Sequence, residues 1–256
     1  MSANTDGIVV KVYKHKKSTY DDIIKEWMKE TKLGLDSEEY KCYINRDINN
    51  YVIEELNGKI SYKGALHPTM YANDLQKGYD MPIVAKAVVN FFLYNKPILE
   101  TLYESINILD FCKTQNVNKK FIIVYNEGSG PILMQQNNRY YVTNGGGIIE
   151  KVLKNDPDAD CYIDDNGNIT NTTNSKNNLC AGYNITILNT LDDMSIHERN
   201  INYTYYYKEA LKIIDPIKLQ ISPNQKGNPI HKTKSGKILI KQNSGMYNSL
   251  FDDYED

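Results

Sequence analysis

The sequence predicts an α+β fold: a partial antiparallel sheet with a packed helix, followed by a mainly helical region with a small β insertion and a flexible C-terminal tail. Three observations carry this. Asn57-Gly58, set between two short apolar runs, is the strongest short-range hairpin signal a sequence offers. Apolar residues recur at helical spacing over 18–32 and again from residue 81. Past Ser222, Pro223, Gly227, Pro229 and Gly236 break any helix while apolar density falls. The boundaries that follow are 1–80, 81–222 and 223–256.

The chain opens with Ser2-Ala3-Asn4-Thr5-Asp6-Gly7 running into Ile8-Val9-Val10-Lys11-Val12-Tyr13. This order predicts a tight acidic turn that leads into a buried strand. Two readings of the turn stand side by side. A carboxylate held rigidly at a sheet edge suits a hard divalent cation, which takes oxygen ligands. Asn, Asp and Gly are equally the residues of ordinary turn chemistry.

Tyr20, Ile23, Ile24, Trp27 and Met28 then predict a helix over 18–32, with Ser18 or Thr19 as its cap. An extended stretch, 39–45, comes next. Tyr51-Val52-Ile53-Glu54-Glu55-Leu56 and Lys59-Ile60-Ser61-Tyr62 form the arms of the hairpin.

From 81 to about 116 the pattern is helical. Pro82 occupies a tolerated first-turn position, and Ile83, Val84, Ala87, Val88, Phe91 and Phe92 share one face. A second helix starts at Pro97 and runs through Ile98, Leu102 and Ile106, with a shorter one over 109–113. Strands are predicted at 120–125, 131–135 and 139–143. Gly145-Gly146-Gly147 lacks the Lys-Ser/Thr that a phosphate-binding loop requires, so it is expected to be a flexible joint.

Asp156, Asp158, Asp160, Asp164 and Asp165 have tempting calcium-ligand spacing. Cys161 and Gly167 stand where an EF-hand needs Gly and Glu, which favours a solvated surface loop. A long helix over 196–215 follows, with Ile201, Tyr205, Ala210, Ile213 and Ile214 inward and Pro216 stopping it.

Bulk composition narrows the class. At 256 residues the chain can form one large domain or two small ones with real cores. It has no run of 18 apolar residues and no secretory signal, so a cytoplasmic protein with no membrane partner is expected. Cys42, Cys112, Cys161 and Cys180 lack metal-type pairing and are expected as reduced thiols. Triplets such as Asn184-Ile185-Thr186 therefore carry no glycosylation meaning.

A net charge of −2 argues superficially against nucleic acid. Distribution matters more. Lys208, Lys212, Lys218, Lys226, Lys232, Lys234, Lys237 and Lys241 meet few acids before the terminal Asp252-Asp253-Tyr254-Glu255-Asp256, which permits one DNA-binding face.

The opening turn resembles motif C of the family B DNA polymerases, usually Tyr-Gly-Asp-Thr-Asp-Ser, in a phage-type Asn-Thr-Asp-Gly form. The resemblance assigns Asp6 to the acid that binds the two catalytic Mg²⁺ ions, with Asn4 in place of the first acid and Thr5 helping to shape the turn. Lys59-Ile60-Ser61-Tyr62-Lys63 is similar to the family's Lys-x-Tyr region, with imperfect spacing. Tyr62 with Lys59 or Lys63 would then hold primer phosphates. The run 199–210, with Tyr203, Tyr205, Tyr206 and Tyr207 near Lys208 and Lys212, resembles the last thumb helix, laid along a duplex.

In these terms 1–80 is the C-terminal half of a palm, 81–222 a thumb, and 223–256 a tether. The tether's Tyr247-Asn248-Ser249-Leu250-Phe251 is similar in its last three residues to a sliding-clamp peptide, so Tyr247, Leu250 and Phe251 are candidates for docking to a clamp or another replisome protein.

The resemblance implies primer-template DNA and a deoxynucleoside triphosphate as partners, and two-metal nucleotidyl transfer as the chemistry. It also implies a deficit. The family's other metal carboxylate, its nucleotide-gripping lysine helix and its exonuclease all precede motif C, and one carboxylate cannot hold two Mg²⁺ ions. A chain starting at a Met just before the motif is therefore expected to be inactive alone and to need an N-terminal polymerase portion. Two alternatives remain: a non-catalytic DNA-binding or replisome-tethering module, and an unrelated α+β protein whose first turn mimics the motif.

Overall fold

At the amino end, Ser2–Asn4 (β1) pairs antiparallel with Gly7–Val9 (β2), Asn4 lying opposite Gly7. The computed structural model describes residues 2–4, 7–67 and 80–219. Of the six residues expected as a strand from Ile8, only Ile8 and Val9 belong to β2, and the strand is not buried, since Ile8 is 68% exposed. A two-stranded ribbon offers no third strand or helix face to bury against.

A 3₁₀ turn, Lys14–Lys16, leads into Lys17–Thr31 (α1). The helix starts one residue before the expected cap, and no side chain caps it. Its apolar residues are only partly covered: Tyr20, Ile24 and Met28 are half-buried, while Ile23 and Trp27 are exposed. Among the described residues from Gly7 to Tyr43 no side chain is buried, and Ile44 is the first that is.

Tyr40–Asp47 (β3), Asn50–Glu55 (β4) and Ile60–Lys63 (β5) form an antiparallel meander. Gly58 supplies the positive φ, 84°, at the predicted turn. Ile44 and Val52 point from the sheet into the core, as does Leu66 from the 3₁₀ turn that follows β5.

Pro82–Tyr94 (α2) is the central element and buries Ile83, Val84, Ala85, Ala87, Val88 and Val89. It packs against Ile98–Glu104 (α3) and the 3₁₀ turn Ile108–Phe111. Ile106, expected inward, falls past the end of α3 and is 85% exposed.

Next comes a β unit larger than the three strands predicted: Lys113–Asn116 (β6), Phe121–Asn126 (β7), Pro131–Met134 (β8), Asn137–Thr143 (β9), Ile148–Lys154 (β10), Thr172–Asn178 (β11) and Asn184–Ile187 (β12). They form two antiparallel sheets, ordered β11-β10-β7-β8 and β12-β9-β6. The glycine run is a packed corner between these sheets rather than a flexible joint. Gly147 exchanges backbone hydrogen bonds with Ile185, and a Cβ on Gly147 would meet the Asn126 carbonyl at 2.4 Å.

Tyr203–Leu219 (α4) closes the fold against α2, α3 and β3. It begins later than predicted because Asn200 takes φ +49° and the Asn202 side chain accepts from the Tyr205 N–H. Pro216 sits inside the helix and does not end it. A late proline removes one hydrogen bond near the helix end, a loss that the packing of Ala210, Ile214 and Ile217 outweighs. One continuous core runs from Ile44 and Val52 through α2 to the β unit and α4.

Candidate nucleic-acid interface

The β4–β5 hairpin carries three of the predicted site residues, and its pairing fixes where each points. Tyr51 lies opposite Lys63, Val52 opposite Tyr62, and Ile53 opposite Ser61. Side chains alternate between the two faces of a strand, so adjacent residues cannot share a face. Tyr62 shares the inner face with Val52 and packs at the core edge, its ring 5.4 Å from that of His67. Burial pushes its hydroxyl pKa above the ordinary tyrosine value.

Lys63 takes the other face. Its ammonium lies 5.4 Å from the centre of the Tyr51 ring, a cation–π distance. Lys59 is exposed just before the strand and is paired with Glu55 at 3.3 Å. The hairpin therefore brings Lys63 and Tyr51 together and separates both from Tyr62.

That outer face carries a row of aromatic rings the sequence reading overlooked. Tyr40 stacks near Tyr43 at 6.5 Å, and Tyr43 lies 5.9 Å from Tyr51. None of the three belongs to the core packing. The signal was present in the sequence: Tyr43 and Tyr51 fall out of phase with buried Ile44 and Val52 by one residue, which assigns them to the opposite face.

Asn4 takes part in the β1–β2 pairing through Gly7, whereas Thr5 and Asp6 lie outside the described residues. Among the described residues no three His, Cys, Asp or Glu side chains cluster as metal ligands. Tyr247, Leu250 and Phe251 also lie outside the described residues.

On α4, Lys208 and Lys212 are exposed one helical turn apart, with Lys212 paired to Glu209 at 2.5 Å. The tyrosines before them face inward instead. Tyr205 and Tyr206 are buried, and Tyr203 packs on Tyr103 and Phe111. Tyr206 is fully enclosed: its hydroxyl donates to the Phe111 carbonyl at 2.7 Å and accepts from the Val142 N–H at 2.8 Å. The lysines thus form a solvent stripe without aromatic neighbours on their own face.

Two further charged clusters serve the fold. Asp110, 2% exposed, accepts from Lys86 at 2.6 Å and from Ser105 at 3.0 Å at the wall of a cavity of about 320 Å³, so the buried charge is compensated. In the acidic loop, Asp164 accepts from the backbone N–H groups of Asn166 and Asn168, and Asp156 from that of Asp158. These bonds pull the Asp164 pKa below the usual carboxylate value and tie both side chains to turn formation.

Comparison with known proteins returns no matching family model, no similar curated protein and no similar solved structure. Among the described residues no helix is long and apolar enough to cross a membrane.

Proposed function

We propose that this chain is the C-terminal palm and thumb portion of a family B DNA polymerase. It would contribute the Asp6 carboxylate and part of the primer-template grip to a site completed by a separate or preceding polypeptide. The resemblance of Asn4-Thr5-Asp6-Gly7 supplies the chemistry, and the order of elements after it, helix, antiparallel meander and helices, agrees with that reading.

The observation that supports a partner is the exposed apolar surface between Ile8 and Leu35. Ile8, Tyr13, Ile23, Trp27, Leu33 and Leu35 are all exposed over a stretch in which no described side chain is buried, and only Ile23 and Trp27 of them lie on α1. Exposed apolar side chains gathered over one stretch are better stabilised when something covers them. A polypeptide bringing the missing Mg²⁺ ligands to Asp6 would lie against them.

When bound, the two ions would neutralise triphosphate charge and activate the primer hydroxyl. The part left to this chain is to supply one carboxylate ligand and to set cations along the primer. A cytoplasmic site of action and a clamp contact through 247–251 belong to the same reading.

Primer extension with Mg²⁺ tests it. The chain alone gives no product, addition of the N-terminal portion restores extension, and Asp6→Ala abolishes it while primer-template affinity survives. Extension by this chain alone, or restored activity indifferent to Asp6→Ala, would refute the proposal.

A second reading is favoured by the separation of Tyr62 from Lys63, which removes the expected paired grip. In it the chain is a non-catalytic DNA-binding or tethering module. The same Asp6→Ala variant separates the two, because this module's DNA affinity would not require any restored catalysis.

A further inference from the structure

The outer face of β3-β4-β5 points to a binding site outside the motif-based reading. We infer that Tyr43, Tyr51 and Lys63 form a stacking platform for a short stretch of single-stranded DNA.

The argument starts from the pleat. Ile44 and Val52 commit one face of the sheet to the core, so Tyr43 and Tyr51 are held on the other by the same backbone. Asn45 lies opposite Tyr51 and Tyr43 opposite Ile53, which sets the two rings diagonally on neighbouring strands, 5.9 Å apart at 36°. A rigid sheet presents them without the entropy cost that loop-borne rings would pay on binding.

Lys63 supplies the second half of the recognition. Its ammonium makes no ion pair among the described residues and sits over the Tyr51 ring, one residue across the ladder. Two neighbouring rings with one cation beside them match a single strand, which offers both bases and phosphates. Acids stand at both ends of the sheet: Glu38 accepts from the Tyr40 hydroxyl at 2.5 Å and Glu55 is opposite Tyr40, while Asp47, toward the Lys63 end, accepts from the Asn49 N–H and the Asn50 amide. Lys63 places the phosphate at its own end and leaves bases over Tyr43 and Tyr51.

A duplex does not fit this chemistry, because its base faces are already stacked and only unpaired bases offer a π-face to a tyrosine. The site shares Lys63 with the primer-holding reading but makes no use of Asp6 or Tyr62, and its Tyr43 and Tyr51 variants test it apart from the polymerase reading.

The test is fluorescence anisotropy of the full chain with labelled dT12, the blunt duplex of the same length, and rU12. We expect dT12 to bind at least tenfold tighter than the duplex and no weaker than rU12. Tyr43→Ala and Tyr51→Ala should each weaken dT12 binding about tenfold, whereas Tyr51→Phe keeps it. Lys63→Ala should flatten the dependence of log affinity on log salt by about 0.7, the share of one phosphate on a single strand.

Photocrosslinking dT12 carrying 5-iododeoxyuridine to the unaltered protein gives a readout that needs no variant to fold. Adducts on Tyr43 or Tyr51 support the assignment. Adducts confined to residues 203–256, equal affinity for duplex, tighter binding of rU12, or folded Tyr→Ala variants with unchanged affinity overturn it.

Discussion

Tyr206 shows how one hydroxyl ties three elements together. It reaches from α4 to the carbonyl that ends a 3₁₀ turn and to the N–H of Val142 in β9, with no water access. Tyr206→Phe keeps the ring and leaves both partners unpaired in the core, a loss of about 1–3 kcal/mol. Urea unfolding should show it as a lower midpoint with unchanged slope. The cysteines give a second residue-scale prediction. Burial pushes the Cys112 thiol up to about 12, so it stays protonated through pH 8 to 9, and raises that of Cys180 in the same direction. Iodoacetamide at pH 8 should therefore leave Cys112 and Cys180 unmodified in the native protein and alkylate them after unfolding, as peptide mapping would report.

At the scale of elements, α1 and the glycine corner behave in opposite ways. The corner is crowded: Gly146 takes φ +82° with the Ile185 carbonyl 2.4 Å from where its Cβ would be, and Gly147 faces the Asn126 carbonyl just as closely. Gly147→Ala forces its backbone away from the end of β7 and should cost about 1–3 kcal/mol in thermal or urea melts. In α1 the reverse holds. Trp27 is 38% exposed, touches no core, and is the single tryptophan of the chain. Trp27→Glu should change stability by less than about 0.5 kcal/mol. In the unaltered protein, the tryptophan emission should shift to the blue when a covering polypeptide binds, and the Glu variant should bind that polypeptide more weakly.

For the molecule as a whole, the core begins at Ile44 and is continuous from there to Ile214. Residues before the meander therefore contribute little to global stability. Removing 1–36 should leave the melting midpoint within about 2 °C of the full chain, a shift smaller than that given by 1 kcal/mol in a domain this size. A fall of many degrees would mean that α1 is held by contacts it does not make in this structure.

Local chemistry decided what the sequence alone revealed. The Asn57-Gly58 turn, the apolar face of α2 and the strands β7, β8 and β9 were legible because turn residues and periodic burial act over a few positions. The polar strand β11, Thr-Thr-Asn-Ser-Lys-Asn-Asn, carries no such period; it is a strand because β10 pairs with it along one edge. Tertiary packing likewise kept α4 helical through Pro216 and drew its tyrosines inward from the lysines. It also set Tyr62 and Lys63 on opposite faces, with Tyr43 and Tyr51 joining Lys63. The sequence could name the residue types suited to nucleic acid, but which of them share a surface depends on strand register and on which face the core claims, and both are settled by contacts between residues distant in the chain.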